Sequence, residues 1–130
     1  MSHMLRRGLA AAAFTATLSA CAVPTPSAPL AAADRLAAPE VAALVQNGAT
    51  FRSTVNPVVY RLQSGGALRI EVTAGNQTIP GTWQRSGDRL CITPDRDTQA
   101  CYVVATAAGG RYRFQDTASG QVSEDFEVVR

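Results

Sequence analysis

The chain has 130 residues, enough for one small domain with a short extension but not for two domains. Its formal net charge is +2, its twelve basic residues are all arginine, and its one histidine is His3. A domain without lysine, and without histidine after His3, excludes Ser/His/Asp and Cys/His nucleophiles, histidine metal ligands, Schiff-base chemistry and a phosphate-loop lysine. The small charge speaks against a nucleic-acid partner, which needs a clustered positive footprint. Carboxylate chemistry is what remains, and it requires a pair of acids held at fixed separation.

Arg6 and Arg7 open an apolar run over 8–18, which ends in Leu18, Ser19, Ala20 and Cys21. The run has the length of a signal-peptide core and falls short of the ~20 residues that a spanning helix needs. In that position the four residues resemble the lipobox of bacterial lipoproteins. The resemblance implies that 1–20 is a signal peptide cut after Ala20, and that Cys21 becomes the first residue, with a diacylglyceryl group on its thiol and a fatty acid such as palmitate on its amino group. Several chains on one residue bind a membrane firmly, at about 0.8 kcal/mol per buried methylene. Ala22 follows where an aspartate would favour inner-membrane retention, so the same resemblance implies the outer membrane and a periplasmic aspect. The competing reading is an ordinary secretory leader with an incidental cysteine. With Arg6 and Arg7 removed, the remainder is close to neutral.

Residues 21–38 are rich in Pro, Ala, Ser and Thr, with Pro24, Pro26 and Pro29, and read as a solvated tether. A single domain is then expected over 39–130. Pro39 and Glu40 suit a first helical turn, Val41, Leu44 and Val45 form an i, i+3, i+4 stripe, and Gly48 stands where a C-terminal cap belongs. The spacing predicts a short helix over about 39–47, its stripe capping one end or face of a sheet.

From Gly48 onward, short alternating segments are separated by Gly, Pro, Asn and Asp. Strands are predicted at 50–55, 58–63, 67–73, 78–85, 89–93, 100–106, 111–115 and 122–129, with tight turns between them. The fold class is mainly β: a small antiparallel meander or barrel-like domain of about 7–8 strands with one N-terminal helix. Leu68, Ile70 and Val72 share one face against Arg69 and Glu71, and Tyr112 and Phe114 oppose Arg111 and Arg113. Phe126 and Val128 are expected inside, with Asp125, Glu127 and Val129 outside.

Once Cys21 is assigned to lipid, Cys91 and Cys101 remain as an even pair in an oxidising compartment, where a disulfide is the default. Closing that loop contributes on the order of 3 kcal/mol in the chain-entropy account. A metal-binding or reactive thiol pair would need closer spacing or added histidine.

Gly81, Thr82 and Trp83 make a GxW tripeptide similar to the lipocalin signature, in which the Trp closes one barrel end. The plainer reading is a Trp packed in a β core with a Gly where backbones approach. Gly87, Arg89, Leu90, Cys91, Cys101, Tyr102, Val103, Tyr112, Arg113 and Phe114 together resemble small secreted β domains of proteobacteria to which no activity is assigned. Asp95, Arg96 and Asp97 lack the further oxygens of a calcium loop and read as turn residues. Glu124, Asp125 and Glu127 read as an exposed acidic face. Arg52, Arg61, Arg69, Arg111 and Arg113 are expected on an outer face with Tyr60 nearby, paired across strands with Glu71 and Asp116.

The expected protein is a non-enzymatic, lipid-anchored envelope lipoprotein, a structural or binding module facing the periplasm. No cofactor, metal or nucleic acid is expected, and the membrane is the one partner implied, through Cys21. The alternatives are a periplasmic protease inhibitor or a small-ligand-binding barrel of calycin-like type. A hydrolase would require acids among Glu71, Asp88, Asp95, Asp97 and Glu124 to converge in one pocket.

Overall fold

The computed structural model describes residues 29–130; the leader, Cys21 and the first part of the tether lie outside the described residues. Eight antiparallel strands follow one another around a closed barrel: β1 (Ala49–Ser53), β2 (Val58–Leu62), β3 (Ala67–Val72), β4 (Gln77–Ser86), β5 (Arg89–Pro94), β6 (Ala100–Ala107), β7 (Arg111–Asp116) and β8 (Phe126–Val129). Each strand pairs with the next, and β1 pairs with β8 to close the ring. Closure leaves no continuous free edge for pairing with another chain. The turns β2–β3, β4–β5 and β6–β7 mark one end, called the base; the other loops mark the mouth.

The alternation read from the sequence decides which side chains face inward. Phe51 pairs with Tyr60, Leu68 with Gly81, Ile70 with Ile79, and Leu90 with Tyr102, all on the inner face. The core joins Phe51, Leu62, Leu68, Ile70, Leu90, Val104 and Phe126. On the outer face Arg61 pairs with Glu71 at 2.8 Å, Arg52 and Arg111 both reach Glu127, and Arg113 pairs with Asp125. Asp116 is not one of the arginine partners, because its carboxylate caps its own turn, accepting the N–H groups of Ala118 and Ser119. Tyr60 is not on this face either, since its pairing with Phe51 turns it into the barrel.

The helix α1 (Ala38–Val45) seals the base. Glu40 accepts the Ala37 N–H at 3.1 Å, half of a capping box, and Pro39 lies in the first turn where no amide is needed. Val41 and Val45 are buried in the core and Leu44 packs against it. Trp83 lies at the same end beside Ala42, Val45 and Gly66, half-buried, with its indole Nε1 donating to the Gln63 carbonyl at 2.7 Å. At Gly81, two residues earlier, a Cβ would stand 2.5 Å from the Thr93 carbonyl oxygen, so the close approach expected of this glycine is present.

Upstream of α1, a 3-10 turn at Ala32–Asp34 leads to Arg35, which bridges Ala105, and to buried Leu36, whose N–H donates to the Val104 carbonyl at 2.9 Å. Here β6 runs past the start of β5, and the N-terminal segment covers the stretch that β5 leaves unpaired. The last part of the predicted tether is therefore docked on the barrel. Cys91 and Cys101 face each other directly across β5 and β6, with Cα atoms 4.0 Å apart, and are joined in a disulfide.

Candidate functional site

The three phenylalanines and three tyrosines of the described residues form one connected set of rings. Phe114 meets Phe51 at 5.1 Å, Phe126 at 5.3 Å and Tyr102 at 6.5 Å between ring centroids; Tyr60 joins through Phe126 and Tyr112 through Phe51. All five contacts are edge-to-face, the arrangement that the ring quadrupole favours. Strand alternation produces this set, because each of these residues occupies an inward position of β1, β2, β6, β7 or β8.

The rings do not fill the barrel toward the mouth. A half-open cavity of about 170 Å³ remains, lined by five of them, Phe51, Tyr60, Tyr102, Phe114 and Phe126, together with Leu62, Leu90 and Ile92. Its polar lining comes from Ser123, Glu124 and the two tyrosines.

Glu124 reaches the cavity because the chain before β8 departs from a regular strand. The alternation predicts β8 from 122, yet the pairing with β7 is reduced to Tyr112 with Phe126 and an isolated bridge between Gln115 and Val122. Ser123 supplies the difference: its backbone N–H donates to Phe114 O, its hydroxyl accepts the Phe114 N–H at 2.9 Å, and the hydroxyl donates to the Glu124 carbonyl. A serine side chain here replaces a main-chain ladder bond. Glu124 Oε1 then accepts from Ser53 Oγ at 2.9 Å and from Asn56 Nδ2 at 3.0 Å. Ser53 is itself buried and accepts the Asn56 N–H, which ties the β1–β2 loop to the site.

Burial works against the Glu124 charge, but the hydrogen bonds from Asn56, from its own backbone N–H and from Ser53 outweigh it and hold the carboxyl below its ordinary value of 4.5. Burial, reinforced by the Glu124 charge, pushes the Tyr60 hydroxyl above its usual value. Burial also raises Tyr102, with further contributions from Asp116, Tyr60 and Asp97. Near neutral pH the mouth therefore presents two neutral phenols and one carboxylate.

The chain matches no protein-family model, no curated protein and no solved structure.

Glu124 corrects the reading of a uniform acidic face at 124–127. Asp125 and Glu127 do point outward to arginines, while Glu124 faces the cavity. The signal was present in the alternation, since Glu124 has the same parity as Phe126 and Val128. Of the other acids considered for a hydrolase, Glu71 is outside the barrel against Arg61, Asp88 is in the β4–β5 turn at the base, and Asp95 and Asp97 are exposed in the β5–β6 loop. Among the described residues, Glu124 is the one acid lining the cavity, and no group of three or more potential metal ligands occurs.

The depressed Glu124 value has a pH signature. Its contribution to stability is complete above about pH 4.5, the unfolded value, and is lost as pH falls through the lower folded value. Glu124→Gln is expected to be less stable than the native chain at about pH 6, with the gap narrowing toward about pH 3. Urea midpoints across this range check it; a constant gap would show that the carboxylate gains nothing from its partners.

Proposed function

We propose that this protein is a lipid-anchored binding module of the bacterial cell envelope, a small-ligand-binding barrel held through Cys21 on the periplasmic side of the outer membrane. The observation that carries the binding role is the half-open, ring-lined cavity at the end of the barrel opposite α1, with Glu124 fixed in its wall. Closed barrels of eight strands have room for one small ligand, and apolar pockets with a few placed polar groups are the usual form of such sites.

The anchor rests on the lipobox-like run before Cys21 and the location on Ala22. A non-enzymatic role is supported by the lack of histidine and lysine after His3 and by the single acid at the cavity. The half-open apolar space favours ligand binding over protease inhibition, a mode that works by a segment inserted into a protease cleft.

Labelling cells with a radioactive fatty acid tests the anchor. The native protein is expected to incorporate label and Cys21→Ala to incorporate none; equal labelling of the two would refute the anchor.

A further inference from the structure

We infer that the barrel mouth binds a small organic cation, a primary ammonium group carried on a compact aromatic or short alkyl body, with Glu124 as its counter-charge and the surrounding rings as its walls. The inference rests on the ligand-binding reading above and goes further by naming the ligand's chemistry.

Charge is the first argument. Asp125 and Glu127 each have an arginine partner, but Glu124, between them in sequence, has none among the described residues. Neutral donors hold it, and both act on the same oxygen, Oε1. Oε2 has no protein donor among the described residues, and neither do the hydroxyls of Tyr60 and Tyr102 offer or accept a hydrogen bond there. An ionised carboxylate oxygen and two phenol oxygens of the cavity lining are thus without a protein partner among the described residues. A carboxylate drawn partly out of water, with no cation beside it, gains most from a charged donor.

The walls supply the second argument. Neighbouring rings are crossed at 70° to 84°, and five rings line the space. Ring faces attract cations, by about 0.5–2 kcal/mol depending on desolvation. An anionic ligand would meet the opposite field, from Glu124 and the negative ring faces together.

Size sets the third. The cavity is about 170 Å³, and an engineered apolar cavity of about 150 Å³ takes up benzene. One six-membered ring or a short alkyl chain fills it, with the ammonium at the rim.

The test compares benzylammonium with benzyl alcohol, its neutral counterpart of like shape, by titration calorimetry and by NMR shifts of the folded protein. Benzylammonium is expected to bind the native protein roughly tenfold more tightly, as befits one charge-assisted hydrogen bond. Glu124→Gln is expected to bring the ratio close to one, and amide NMR dispersion matching that of the native chain shows that the variant is folded. Equal affinity of the native protein for both probes would overturn the cation inference and leave the ligand-binding barrel standing. Binding of neither probe would overturn both.

Discussion

Phe51→Ala is expected to lower folding stability by about 3–5 kcal/mol. Phe51 is 2% exposed, sits at the centre of β1, and pairs with Tyr60 of β2 on one side and Val128 of β8 on the other. Its ring is the common edge-to-face partner of Phe114 and Tyr112, so one truncation removes two aromatic contacts and the buried surface of a phenyl group. The void opens into a cavity that is already half open, so entry of solvent places the cost toward the lower part of the range. Domains of this size have total stabilities of about 5–15 kcal/mol, and the loss is a large share of that. Urea unfolding should show a lower midpoint with an unchanged slope. A loss under about 1 kcal/mol would mean that the ring network adds little to closure of the barrel.

Gly48→Ala should be nearly as damaging, for a different reason. Gly48 follows α1 with φ +82, and its N–H donates to the Val45 carbonyl, turning the chain from helix into β1. The left-handed conformation costs a residue with a Cβ about 1–2 kcal/mol. In addition, the Cβ would collide with the Leu62 carbonyl oxygen, which belongs to the barrel wall and cannot swing away. Overpacking of that kind costs a further 1–3 kcal/mol, approximately. Gly120 separates the two effects, because it has φ +75 with nothing within 4 Å of the added Cβ. Gly120→Ala should show only the conformational part. Equal thermal shifts for the two variants would refute the steric part of this account.

The fold was legible because period-two alternation and turn residues act locally. Leu68, Ile70 and Val72 against Arg69 and Glu71 fix a face without knowledge of any neighbour, and the glycine pairs at 65–66 and 109–110 mark where strands must reverse. Seven of the eight strands start and end within two residues of the expected bounds. The eighth starts at Phe126 and not at 122 because the Ser123 hydroxyl takes the Phe114 N–H in place of a main-chain carbonyl, which depends on Phe114 being opposite. Register has the same non-local character. In sequence Tyr60 stands beside outer arginines, but its pairing with Phe51 turns it inward; Asp116 is spaced as an arginine partner, but its own turn engages it. The cavity was less legible still. It arises where five rings from separate strands leave space, and no linear pattern encodes that residue of volume.

The docked segment before α1 has a mechanical consequence. Thr106 Oγ1 donates to the Asp34 carbonyl near the base, and Leu36 is bonded to Val104 further up β6, so the chain enters the fold at the base and climbs antiparallel to that strand. Tension on the chain ahead of Asp34 would therefore load the contacts along β6 first. Such a load would fall in shear on the Arg35 and Leu36 contacts and on the burial of Leu36, at the end of the barrel away from the mouth. The described chain is thus gripped at the base of the barrel, and the rim that carries Glu124 stands at the opposite end.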